Sequence, residues 1–211
     1  MKILLADDHT LVRQGIRRML EEEPDWTVVG EAGDGHEVLR MAEELKPDLA
    51  IVDVAMPHLN GIEAIRRIIQ KQPRIHVLVL SMYADESYVT QTLQAGARGY
   101  MLKDSADADL FQAVRTIAAG GTFLSPAIAR QMNERVTWST AAAADPYDTL
   151  TNREREVFQL VAEARSNRDI AAMLGISLTT VETHRARVLN KLSLHNAAEI
   201  ALYALRRGVI R

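Results

Sequence analysis

The sequence predicts a doubly wound α/β domain built on a five-stranded parallel sheet, followed by an all-α four-helix domain. Three observations carry this reading. Short apolar runs alternate with amphipathic stretches over residues 1–124, the rhythm of βαβ units. From Leu150 onward the pattern is helical throughout. The charge divides in the same way: residues 1–124 hold 13 Lys and Arg against 19 Asp and Glu, and residues 149–211 hold 10 against 6.

In chain order, Ile3–Ala6, Leu49–Val52, Val77–Leu80 and Tyr100–Leu102 read as buried strands. Helices lie between them. One face gathers Leu11, Val12, Gly15, Ile16 and Met19; another gathers Val38, Leu39, Ala42 and Leu45. Ile62, Ile65, Ile68 and Ile69 form a third, and Leu110, Phe111, Val114, Ile117 and Ala118 the last. A helix near Glu86–Ala95 has the weakest pattern, with Val89, Leu93 and Ala97 at helical spacing. Pro24, Pro47 and Pro73 each fall shortly before a strand, where a helix cannot continue. Ser125-Pro126 opens a short helix through Val136, and Trp138–Pro146 reads as a tether. The expected division is 1–120 for the first domain, 121–146 for the linker and 147–211 for the second domain.

In the second domain, Thr151 and Glu154 form a capping box, the hydroxyl and carboxylate each satisfying an amide of the first turn. Val157, Leu160 and Val161 follow on one face. A helix over Arg168–Leu174 stops at Gly175, Ser177 caps the next helix to about Leu192, and the last spans Ala197–Arg207. Two helices joined by a three-residue turn containing glycine are the helix-turn-helix signature.

A chain of 211 residues can bury two modest cores. It has no cysteine, which excludes disulfides and thiol chemistry. Acids follow the N-terminus too early for a signal peptide, and no run approaches the roughly 18 apolar residues of a membrane span. A cytoplasmic protein with no membrane partner is expected.

The chemistry lies at the strand ends. Asp7 and Asp8, Asp53, Ser81 and Lys103 each follow an apolar run, and the carboxyl ends of parallel strands form the ligand-binding rim of such sheets. Mg²⁺ takes oxygen ligands, which Asp8 and Asp53 supply while Asp7 holds a coordinated water. An aspartate is a competent phosphoryl acceptor. Charge on the transferred group calls for a metal, a cation and a hydroxyl, roles open to Lys103 and Ser81. His9 adjoins two aspartates, but no other histidine stands at ligand spacing, so a loop or helix-start role is expected.

On the second domain, Val181, Val188 and Leu192 form the core face of the second helix of the pair. Thr179, Glu182, Thr183, Ala186, Arg187 and Asn190 lie opposite, with Lys191 at the edge. Small and polar side chains flanked by bases suit a helix entering a major groove of double-stranded DNA. Ser177, Thr179, Thr180, His184 and Lys191 are candidate phosphate contacts, and Asn167 starts the preceding helix.

The set Asp7-Asp8-His9, Asp53 through Met56-Pro57 to Gly61, Leu80-Ser81, Ala95-Gly96-Ala97-Arg98-Gly99-Tyr100 and Lys103 resembles the receiver domain of bacterial response regulators, over about residues 1–120. The resemblance implies a flavodoxin-like sheet and phosphorylation of Asp53 by a histidine kinase. It further implies Mg²⁺ held by Asp7, Asp8 and Asp53 with Ala55 at the metal site, and phosphoryl reading by Ser81 and Lys103. Tyr100 takes the position of the aromatic switch, and Ala55 and Tyr83 take positions that influence acyl-phosphate lifetime. Leu150-Thr151, Arg153-Glu154, Glu156-Val157, Ser166-Asn167, Ile170-Ala171, Thr180-Val181-Glu182, His184 and Lys191-Leu192 resemble the LuxR-type helix-turn-helix, over about 147–211. Together they resemble the NarL/FixJ branch.

The expected protein is a DNA-binding response regulator, not an enzyme. It forms a homodimer when phosphorylated or on DNA, with RNA polymerase a further partner. One alternative is an aspartyl-phosphate phosphohydrolase, which usually needs a second acid two residues past the nucleophile, where Ala55 stands. The other is a DNA-binding regulator that does not depend on phosphorylation.

Overall fold

The structure, a computed structural model, describes residues 1–135 and 145–210 and divides into two compact units, 1–137 and 138–211. In the first, β1 (Lys2–Ala6), β2 (Thr27–Ala32), β3 (Leu49–Asp53), β4 (His76–Ser81) and β5 (Gly99–Leu102) form a parallel sheet. A sixth strand, β6 (Phe123–Leu124), extends the five that the sequence announces. Two residues carry too little periodicity to be read in advance. The order is β2-β1-β3-β4-β5-β6, so the order in which strands are added reverses between β1 and β3, the position where doubly wound sheets bind ligands.

The central runs Ile3–Ala6, Leu49–Val52 and Val77–Leu80 are apolar without a break because both faces of the sheet are covered there. Ile3, Leu5, Leu49, Ile51, Leu78, Leu80 and Met101 face one core, against α1 (Thr10–Glu21) and α5 (Ala106–Ala118). Leu4, Ala6, Ala50, Val52, Val77, Val79 and Tyr100 face the other, against α2 (Gly35–Leu45), α3 (Gly61–Lys71) and α4 (Glu86–Gln94). Each fully buried Val, Leu, Ile or Met among them contributes about 1.5–3 kcal/mol, so neither face could be left wet. The helix α4 is present although its pattern is faint: Tyr88, Val89 and Thr92 are buried, and Thr92 Oγ1 donates back to the carbonyls of Tyr88 and Val89.

The register sets the rim. Ala6 pairs with Val52, Asp53 with Leu80 and Ser81 with Leu102, so Asp7, Asp53, Ser81 and Lys103 end neighbouring strands at nearly one level. Gly61 begins α3 hard against this rim: its N–H donates to Val54 O at 2.8 Å, and a Cβ there would lie 1.9 Å from Asp53 O. Only glycine permits that approach. After the rim, α6 spans Pro126–Arg135. Val136 and the tether segment 138–144 lie outside the described residues.

In the second unit a 3₁₀ turn (Pro146–Thr149) leads into α7 (Asn152–Ala162), α8 (Asn167–Leu174), α9 (Leu178–Leu192) and α10 (Ala197–Arg207). Phe158 centres the core, with Tyr147 and Tyr203 edge-on at 5.3 and 5.9 Å. Buried Arg207 pairs with Asp145 and lies 4.2 Å over the Tyr147 ring. The Thr151–Glu154 capping box is present, and Ser166–Asp169 makes a second one at α8. Gly175 ends α8 in the left-handed region at φ 63°, and Ser177 Oγ caps α9 through Thr180 N at 3.1 Å.

Candidate functional site

The side chains of Asp7, Asp8, His9, Asp53 and Lys103 meet on the rim of the first unit. Asp7 and Asp53 are both about 1% exposed, an expensive place for carboxylates unless they are compensated. Lys103 compensates both: its Nζ lies 2.6 Å from Asp7 Oδ2 and 2.8 Å from Asp53 Oδ2. The Asp53 contact is an aligned hydrogen bond, and the Asp7 contact lies off the hydrogen-bonding direction. Asp7 Oδ1 accepts from the N–H of His9 at 2.8 Å. The amide of Ala55 points to Asp53 Oδ1 at 3.4 Å. Asp8 is more open, and His9 Nδ1 lies 2.9 Å from its Oδ1. His9 occupies the N-cap position of α1, the helix-start role expected of it. Its ring also joins the cluster, which spacing in sequence did not reveal.

Ligand atoms of Asp7, Asp8, His9 and Asp53 all lie within 4.8 Å of one another. With the carboxylates ionised, three negative charges face one ammonium, leaving a net deficit that a divalent cation would balance. Oxygens gathered this closely, and in this number, suit Mg²⁺.

Ser81 is fully buried, and its Oγ accepts from Tyr83 N at 3.1 Å. Tyr100 points inward, its hydroxyl donating to Tyr83 O at 2.7 Å. Burial pushes the Tyr100 phenol well above its usual range, and a hydrogen bond with Ser81 pulls the other way. It therefore remains a neutral donor at physiological pH. Tyr83 stacks on Tyr88 with ring centroids 4.7 Å apart. One loop thus joins the serine, the tyrosine and the start of α4.

On the second unit, the turn Gly175-Ile176-Ser177 sets α9 after α8. Val181, Val188 and Leu192 are buried, and Thr179, Glu182, Thr183, Ala186, Arg187 and Asn190 are exposed. Several of the polar groups have internal partners. Thr183 Oγ1 donates to Thr179 O, and Arg185 donates to Asn167 Oδ1 at 3.0 Å. His184 is half-buried, its Nδ1 without a hydrogen-bond partner. Lys191, read from sequence as an edge cation, turns inward to Glu154 Oε2 at 2.7 Å and Thr149 O at 2.9 Å.

That ion pair has a measurable consequence. Burial alone would raise the Glu154 pKa, but hydrogen bonds from Lys191 and the Thr151 N–H hold the carboxyl below its usual range. A lowered carboxyl contributes stability above its unfolded pKa and loses it as pH falls through the folded one. Lys191→Met should therefore destabilise a 145–211 fragment by about 1–2 kcal/mol at pH 7. The deficit should shrink below about pH 4. Urea melts at the two pH values check it; an equal deficit at both would assign the loss to packing of the lysine stem.

The two units define a class: a doubly wound domain with an acidic rim, carried on one chain with a helix-turn-helix domain. The family model described as "Response regulator receiver domain" matches residues 3–115, and that described as "Bacterial regulatory proteins, luxR family" matches 148–204. The response regulator GacA of Pseudomonas aeruginosa is 38% identical over 210 residues, covering 100% of this chain and 98% of that protein. A crystal structure of a LuxR-family two-component response regulator from Aurantimonas sp. is 38% identical with TM-score 0.63, covering 64% of this chain and 97% of that one. The complex of the response regulator RcsB with DNA is 27% identical with TM-score 0.61, covering 97% of this chain and 98% of that one. The chain belongs to the NarL-type response regulators, which join a receiver domain to a LuxR-type DNA-binding domain. That family consists of transcriptional regulators. Among the described residues, no helix is long and apolar enough to cross a membrane.

Proposed function

We propose that a histidine kinase phosphorylates Asp53, and that the acyl phosphate controls dimerisation and sequence-specific binding of double-stranded DNA. The observation that carries this reading is the Lys103 ammonium held between the buried carboxylates of Asp7 and Asp53. A carboxylate oxygen of Asp53 forms the new bond to phosphorus as the donor's bond to phosphorus breaks. Lys103 and the Ser81 hydroxyl meet the phosphoryl oxygens. Asp7, Asp8 and Asp53, with Ala55 beside them, hold Mg²⁺, which when bound neutralises charge on the transferred group. Added negative charge on Asp53 draws Ser81, and through the Tyr83 loop Tyr100 and α4, into a second arrangement.

The absence of an acid at Ala55 favours a regulator over a phosphohydrolase, since no side chain there could activate water. On the second domain, the proposed DNA surface comprises Asn167, Ser177, Thr179, Thr180, Glu182, Thr183, His184, Ala186, Arg187 and Lys191. RcsB, solved with DNA, supports that role by likeness. Lys191 Nζ already serves Glu154 and Thr149 O, so a phosphate would share its ammonium with those partners. A cytoplasmic setting and recruitment of RNA polymerase belong to the same reading.

The test is chemical. Acetyl phosphate with Mg²⁺ should place one hydroxylamine-labile phosphoryl group on the full chain, and Asp53→Asn should carry none. Undiminished labelling of the variant would sink the assignment.

A further inference from the structure

Asp7 is held on every side, and one of its partners comes from a residue that the acid set does not include. Its N–H donates to Ala32 O of β2 at 3.1 Å, and its carboxylate meets His9 and Lys103. Its carbonyl oxygen ends a strand just before α1, where neither strand nor helix supplies a donor. Arg13, one turn into α1, reaches back and donates NH1–H to that oxygen at 2.5 Å. The same guanidinium donates Nε–H to Glu31 Oε2 on β2 at 3.0 Å. The other oxygen of Glu31 accepts from Arg17 at 2.6 Å, and Arg17 also pairs with Glu21. The Arg13 side chain is only 18% exposed, so the contact is sheltered from solvent.

We infer that Arg13 is a positioning residue for the acidic site, fixing the Asp7 main chain so that the carboxylates of the β1–α1 loop converge. Two opposed effects make the inference testable by sign. The guanidinium is a positive charge on the backbone of a cation-binding residue, so electrostatically its removal should tighten cation binding. Geometrically its removal frees a buried carbonyl and lets the loop turn, which should weaken binding. Loss of a partner that orients a metal ligand typically costs 10–100-fold in affinity. That geometric loss exceeds the gain from removing one partly screened charge, so weakening should win. Arg17 separates positioning from simple stapling. It ties α1 to the same Glu31 but has no bond to Asp7.

The inference rests on the proposed Mg²⁺ site and is tested on the full chain by calorimetric titration with MgCl₂, beside urea melts in EDTA. Arg13→Ala should weaken Mg²⁺ binding about tenfold. Arg17→Ala should leave the affinity at the wild-type value, although both variants lose a tie to Glu31. Arg13→Gln, which keeps bulk and polarity, should match Arg13→Ala and serves as the test if the alanine variant does not fold. Unchanged or tighter binding in the Arg13 variants would overturn the inference, as would equal weakening by Arg17→Ala. Asp8→Ala is the control for the underlying reading. If it leaves Mg²⁺ binding intact, or the wild type binds none, the metal site itself is wrong and the role of Arg13 falls with it.

Discussion

Lys103→Met should cost the first domain about 3 kcal/mol of stability in metal-free buffer at pH 7, and much less in saturating Mg²⁺. The side chains of Lys103, Asp7 and Asp53 are 5%, 1% and 2% exposed, so water screens this cluster poorly. Methionine fills the volume of the lysine stem but leaves two buried carboxylates facing one another without a counter-charge. Breaking a buried pair from one side is strongly destabilising because the remaining charge is uncompensated. Here two such charges remain. The bridging geometry gives Lys103 a part in stability as well as in reading a phosphoryl group. A divalent cation drawn to the same oxygens supplies the missing charge, so Mg²⁺ should stabilise the variant more than the wild type. Asp53→Asn in the same background should also recover stability, by removing one of the two charges. Urea melts followed by circular dichroism, in EDTA and in MgCl₂, give the value for each protein in each buffer. A deficit equal in both buffers would mean that the ammonium matters for packing and not for charge.

The acidic rim was legible in the sequence because strands covered on both faces are apolar without interruption. The first polar residue after each run therefore marks a strand end, as Asp7, Asp53, Ser81 and Lys103 do. The helix-turn-helix was legible for a different reason: capping is local, and Thr151, Ser177 and Gly175 signal their roles within three or four residues. What could not be read depends on side-chain direction between residues distant in sequence. Arg13 looks like an ordinary exposed helix cation until Glu31 and the Asp7 carbonyl are placed beside it. Lys191 sits at the edge of a basic face, and only the fold shows that Glu154, 37 residues earlier, holds it. The weak pattern of α4 has a physical cause too. Its buried face includes Thr92, whose hydroxyl is satisfied by its own helix and so can enter a core without looking apolar.

Full-length protein treated with acetyl phosphate and Mg²⁺ should shift from mostly monomer toward dimer, and its affinity for a two-half-site operator should rise roughly tenfold or more. One helix-turn-helix presents a short helix face, here the exposed row from Thr179 to Asn190, and can read only a few base pairs. Specific binding therefore calls for two copies on half-sites about one helical turn apart. Pairing converts the second contact into an intramolecular event, which raises affinity without adding any contact to DNA. Affinity for an isolated half-site should then hardly move. Asp53→Asn should abolish both the shift and the gain, and a 145–211 fragment should ignore the phosphate donor altogether. Sedimentation beside footprints on intact and half operators separates the two forms of control. If phosphorylation raised half-site affinity as much as full-site affinity, with the dimer population unchanged, pairing would not be the switch. Control would then lie in uncovering α9, and the change at Asp53 would act by release of a recognition surface already complete in one copy.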